Sequence, residues 1–249
     1  MSPRARVALM AVAGAALLAF YVWGVDGLPD FGHYKGPYGT TINHVVATER
    51  QLTNAVAAVV FDYRGYDTLG EELILFISVV AVLLLMREQR DESAEVHPAA
   101  AKAEAQPRAS DAVRALGVAV VGATILIGLY IVAHGTLTPG GGFQGGVILG
   151  AGLLVVYFAG DFTSLERLRP STAFELMHSA GAAGLAMLGL GGLLAGAQLF
   201  HNFLYTGTVG ELNSGGFVPL GNAAVGLEVF GAVLLLGSEF LHEAVLRRR

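Results

Sequence analysis

Hydrophobic residues fall in six long, nearly uninterrupted stretches separated by short polar segments. A helix crosses a hydrocarbon core with about 20 mainly apolar residues, and that length defines the candidates. Val7 to Val25 is uncharged. Leu73 to Met86 is shorter and reaches spanning length when Thr68 to Glu72 forms its first turn, which sets Glu71 and Glu72 near one interface. Ala115 to Ala133, Phe143 to Gly160, Leu176 to Phe200 and Leu220 to Phe240 supply the other four, the last interrupted by Glu228 and ending beside Glu239. The pattern predicts an all-α, polytopic membrane protein with about six transmembrane helices.

Arg4 and Arg6 precede the first apolar run, as they would in a signal peptide. The run is long and lacks a convincing cleavage site, so a retained helix is expected. With the N-terminus inside, Arg4, Arg6, Arg87, Arg90, Lys102, Arg108, Arg114, Arg167, Arg169, Arg247, Arg248 and Arg249 fall on the cytoplasmic side, and only Lys35, Arg50 and Arg64 outside. That asymmetry fits the positive-inside rule. An even number of spans returns the C-terminus, with its Arg triplet, to the cytoplasm.

Composition strengthens this picture. The chain is 54% hydrophobic and 14% charged, with mean hydropathy +0.59. Its 34 glycines are spread through the apolar stretches, where small residues let helices approach closely. No cysteine is present, which removes disulfides, thiolate metal sites and thiol nucleophiles. The net charge of −5 and the scatter of basic residues give no support to nucleic-acid binding. The lipid bilayer is the expected partner.

From Glu88 to Ser110 the chain turns polar and alanine-rich, with Pro98 and Pro107, and reads as a cytoplasmic linker. It divides a two-span module, residues 1–90, from a four-span domain, residues 113–249, with 91–112 between them. No repeat relates the halves. Within the first, Val45 to Tyr66 mixes valines and leucine with Glu49, Arg50, Asp62 and Arg64, too short an apolar core to span. It is expected to form an in-plane or laterally packed helix, with an ordered loop as the alternative.

The run from His134 through Pro139, Gly140, Gly141, Gly142, Phe143, Gln144, Gly145 and Gly146 cannot continue a regular helix. Two readings stand: a tight hairpin followed by close helix packing, which glycine chemistry favours, or a cavity wall whose carbonyls face a cation. Glu228 falls near the middle of the sixth span, where an ionised side chain costs about 3 kcal/mol or more and needs a polar partner, a proton or an ion. Glu71 and Glu72, at a helix start, are explained equally by capping or by function. His134 and His178 are each a proton carrier or a packing residue. Asp161 and Glu166, beside Arg167 and Arg169, read as a solvated interface group. No phosphate loop, metal-ligand spacing or nucleophile constellation is present, and an independent enzyme is not expected.

The run Pro139-Gly-Gly-Gly-Phe-Gln-Gly-Gly146, after a span ending in His134 and before further spans, resembles the B subunit of Mrp-type multisubunit Na+/H+ antiporters, from about Ala112 to Arg249. Asn54-Ala-Val-Ala-Ala-Val-Val-Phe-Asp62-Tyr-Arg64-Gly-Tyr-Asp67-Thr-Leu-Gly-Glu71, before an apolar helix, is similar to the C-terminal part of the large A-type component of those antiporters. Membrane-bound hydrogenases carry the same module as a separate small subunit. The resemblance implies a subunit of a complex in a bacterial or archaeal cell membrane. Its partners would be other antiporter-complex membrane subunits. It further implies no bound cofactor, with Na+ and H+ as transported ions. Glu71, closing the Asp-Thr-Leu-Gly run, is the first ion-path candidate it suggests, with Glu72, Glu228 and His134 carried over more loosely. The competing reading is an assembly subunit, of such a complex or of a related hydrogenase or respiratory complex, that moves no ion. A free-standing transporter is disfavoured, because no inverted repeat is visible.

Overall fold

The computed structural model describes residues 3–28, 33, 36–86, 110–159 and 171–246. Every regular element among them is helical: α1 (Pro3–Asp26), α2 (Pro37–Glu49), α3 (Ala55–Ala58), a π-helical turn (Val59–Tyr63), α4 (Gly65–Leu85), α5 (Asp111–Ala133), α6 (Gly142–Ala159), α7 (Ser171–Leu194) and α8 (Val218–Leu246). Five helices, α1, α4, α5, α7 and α8, are long and apolar enough to cross a membrane, and the shorter apolar α6 completes the expected set. The expected linker lies largely outside the described residues, as do Asp161, Glu166 and the terminal Arg triplet.

Two compact units divide the chain, Met1–Thr41 and Ile42–Arg249. In the first, α1 has no buried residue in its apolar window, so its whole surface suits a hydrocarbon solvent. In the second, α8 is central, with 56% of its apolar window buried. It packs against α6, α7 and α4, while α5 packs mainly on α6 and also touches α8.

Glycine spacing explains the close approach of α6 to α8. A Cβ on Gly142 would collide with the Asn222 carbonyl oxygen, and one on Gly146 would lie 2.7 Å from that of Gly226. Residues four apart share a helix face, so this pair makes a smooth strip against which the α8 backbone rests.

The segment after α2 is neither a long helix nor a simple loop. Asn54 caps α3 by accepting from the backbone N–H groups of Val56 and Ala57. The chain then passes through the π-helical turn into α4, which begins at Gly65, three residues ahead of the expected first turn. Leu52, Phe61 and Ala58 from this segment are buried in one core with Leu185, Phe200, Phe217, Val218 and Val225. The fifth span is shorter than its apolar run suggests: α7 stops at Leu194, and the chain turns back so that Phe200, with φ of 60°, enters the core.

Candidate functional site

Burial singles out two acids. Glu72, in the second turn of α4, is 1% exposed, and Glu228, in the third turn of α8, is fully buried. Their carboxyl groups are close enough to interact directly. Oε2 of Glu72 and both carboxyl oxygens of Glu228 nonetheless lack a partner in hydrogen-bond geometry. Neither acid belongs to an ion pair among the described residues. Two facing carboxylates without a counter-charge repel and are poorly solvated, so the arrangement calls for a proton, a cation or water between them.

The neighbouring helices fit around this pair. A Cβ on Gly181 would fall 2.6 Å from that of Glu228, so α7 presents a glycine where the acid passes. One turn away, His178 is 2% exposed and its ring stacks on Phe76 of α4, with centroids 5.0 Å apart. Its Nδ1 donates to the Glu228 backbone carbonyl oxygen at 3.2 Å, since a carbonyl only accepts, and Nε2 has no partner.

A cavity of about 300 Å³ reaches Glu72. Thr68, Glu71, Glu72, Gln144, Asn222 and the Gly140–Gly142 backbone supply its polar wall, and Val60, Phe61, Phe143 and Val225 belong to its apolar one. Glu71 is exposed where Glu72 is buried. Glu72 lines the cavity and Glu228 does not. Thr68, one turn before Glu72, donates its hydroxyl to the carbonyl oxygen of Val60 in the π-helical turn.

The glycine-rich run is a hairpin whose carbonyls at 135–138 accept from protein donors, while its Gly140–Gly142 backbone lines the cavity. Asn54 Nδ2 donates to the oxygens of Gly135 at 2.8 Å and Thr138 at 2.9 Å, its backbone N–H to Thr136 at 3.1 Å, and Thr53 Oγ1 to Leu137 at 2.6 Å. Gly140 and Gly141, at φ of 148° and 137°, turn the chain where a side chain would be strained, and helix resumes at Gly142. Gly145 and Gly146 are buried beyond the turn, Pro139 and Phe143 are exposed, and the Gly142 N–H donates to Asn222 Oδ1 at 2.9 Å. His134 caps the end of α5, its ring stacked on Tyr130 at 4.1 Å, and does not line the cavity.

A second polar group fixes the π-helical turn. Arg50 pairs with Asp62 at 3.0 Å, and Asn202 Nδ2 donates to the other Asp62 oxygen at 3.0 Å. The Arg50 guanidinium sits 4.9 Å from the Tyr63 ring centre, and the Tyr63 hydroxyl donates to Glu49 at 2.9 Å. Burial, and then that bond, push the Tyr63 phenol up to about 12. Asn202 and Asn222 were not singled out in the sequence, and Asn54 stood there only as the first residue of the quoted run.

A bundle of apolar helices enclosing an unpaired carboxyl couple defines a multi-pass helical membrane protein with an ionisable interior. Residues 112–235 match the family described as a domain related to the MnhB subunit of Na+/H+ antiporter, and this part of the chain belongs to it. The chain is a multi-pass membrane protein that carries this antiporter-subunit-related domain in its second part. It is 28% identical over 234 residues to an uncharacterized protein of Methanocaldococcus jannaschii, covering 88% of each. The A/B subunit of a probable K+/H+ antiporter of Rhizobium meliloti is 32% identical over 133 residues, 47% of this chain and 13% of that protein. A chain of the membrane-bound sulfane sulfur reductase, an archaeal respiratory membrane complex, aligns at a TM-score of 0.71 with 27% identity, covering 94% of this chain and 97% of that one. A chain of the Mrp complex from Dietzia sp. DQ12-45-1b shares the fold at the same TM-score of 0.71 with 21% identity, over 96% of this chain and 26% of that one.

Proposed function

We propose that the chain forms part of an ion path in a cation/proton antiport complex, with Glu72 and Glu228 as the groups that take up and release the ion. The observation that carries this reading is the carboxyl couple itself, buried without an ion-pair partner among the described residues, with Glu72 in the wall of a cavity. A proton or a monovalent cation between the two acids relieves the same repulsion, so the two compete for one place. Competition of that kind is the chemical basis of exchange, because release of one species permits binding of the other. Glu71, exposed in the cavity wall, draws cations toward Glu72. The transported species are Na+ and H+, and the chain breaks and makes no covalent bond. Driving force comes from partner membrane subunits or from the proton gradient.

The competing reading is a subunit that holds the complex together, and the glycine strip of α6 suits it. Separate Glu72→Gln and Glu228→Gln substitutions, assayed for cation/proton exchange in the assembled complex, separate the two. Loss of exchange with intact assembly supports the path, and unchanged exchange supports scaffolding.

A further inference from the structure

We propose that the Thr68 hydroxyl is a neutral oxygen ligand for the cation taken up at Glu72, and so the residue through which the site discriminates among monovalent cations. The inference rests on the ion-path reading above and adds to it a group that carries no charge. Residues four apart share a helix face with Cβ atoms about 5–6 Å apart, and Thr68 and Glu72 of α4 stand in this relation in the wall of one cavity. Thr68 is 6% exposed and Glu72 1%, and Oε2 of Glu72 has no hydrogen-bond partner. Two oxygen-bearing side chains so placed can close on one small cation.

The turn ahead of α4 fixes what the hydroxyl can do. There the Arg64 N–H donates to the carbonyl oxygen of Val59 at 2.8 Å, where an α-helix would carry it to Val60. The Val60 oxygen takes the Thr68 proton instead. A hydroxyl has one proton and two lone pairs, so Thr68 is left as an acceptor, and nothing among the described residues donates to it. Asn222, also buried in the cavity wall, is committed to the protein: its Oδ1 accepts from the Gly142 N–H at 2.9 Å and its Nδ2 donates to Val218 at 3.3 Å. A metal cation entering a site exchanges its hydration shell for protein oxygens, a demand that a proton on a carboxylate does not make. Glu72 and Thr68 supply one charged and one neutral oxygen from the buried wall.

The test exchanges a hard ligand for a soft one in the assembled complex. Thr68→Cys nearly keeps the size of the side chain and a proton for Val60 but replaces oxygen by sulfur, in a chain with no other cysteine. Hard cations favour oxygen ligands and soft ones sulfur. Exchange in vesicles is measured with Na+ and with Tl+, with subunit content checked in each variant. The Na+ concentration for half-maximal exchange is expected to rise about tenfold in Thr68→Cys while that for Tl+ holds or falls, and Thr68→Ser is expected to match the unsubstituted chain. Loss of a merely structural hydroxyl moves both cations alike, so an unchanged ratio of the two would overturn the proposal. Thr68→Val, which keeps the shape and has no oxygen, decides the matter where Thr68→Cys fails to assemble: its Na+ requirement is expected to rise more than its Tl+ requirement, and an equal rise overturns the assignment. Glu72→Gln in the same assay separates this inference from the reading beneath it. Exchange lost in Glu72→Gln with an unchanged cation ratio in Thr68→Cys overturns the role of Thr68 alone, whereas exchange kept in Glu72→Gln overturns the ion path itself.

Discussion

Glu72 on α4 and Glu228 on α8 meet inside the helix bundle, one in the wall of a cavity and the other outside its lining. The sequence separates them widely, and only the packing of α4 against α8 brings them together. The energetic consequence is local: two acids out of water need something positive or a shared proton. Their surroundings supply close-packed glycine, an imidazole and backbone, and no ion pair among the described residues.

Gly146→Val is expected to destabilise the chain by about 1 to 3 kcal/mol through overpacking. Its Cβ would stand 2.7 Å from the Gly226 carbonyl oxygen and 2.9 Å from Val229 Cβ, and backbone cannot step aside cheaply. Gly122→Ala is the control, with nothing within 4 Å of its Cβ position. Thermal unfolding in detergent should show a lowered midpoint for the first and an unchanged or raised one for the second.

Asn54→Ala removes the donor from two hairpin carbonyls and the cap from α3. Buried acceptors left unpaired cost roughly 1 to 3 kcal/mol in total effect. Hydrogen exchange at the amides around 135–142 should accelerate in this variant, and protection equal to that of the unsubstituted chain would contradict the role assigned to Asn54.

Tyr63 gives a pH signature away from the spans. Its phenol moves from 10.0 to about 12, by burial first and by its bond to Glu49 second. Folding favours the protonated form, so the stabilising contribution is complete below pH 10 and is lost as pH rises toward 12. Comparison of phenolate absorbance in the unsubstituted chain and in Tyr63→Phe should place the missing titration near the upper value. Glu49→Gln should bring Tyr63 downward, since it removes the charged acceptor.

The spans were legible because hydrocarbon imposes a length and a composition that sequence displays directly. Glu228 was legible for the same reason, as a charge where charge is costly. Its pairing with Glu72 was not, because nothing in a chain order tells which faces of two helices meet. Glu71 and Glu72 looked alike from their neighbours, and one residue of helical rotation separates an exposed acid from a buried one. The hairpin at 135–142 was written in its proline and glycines, but the use of its carbonyls was set by Asn54, which lies in a different piece of the chain. Asn202 and Asn222 were hidden because a neutral amide disturbs neither hydropathy nor charge, and its value depends on the groups it reaches.

Glu228 is the group on which the proposed exchange turns. The most direct measurement is cation/proton exchange by the assembled complex in vesicles, with Glu228→Gln against the unsubstituted chain and with subunit content checked in each. Glutamine keeps the shape of the side chain and removes its ability to take up and release an ion. Normal assembly with a loss of exchange of about tenfold or more is expected. Normal assembly with exchange at the unsubstituted rate would contradict it and leave the carboxyl couple as a packing feature.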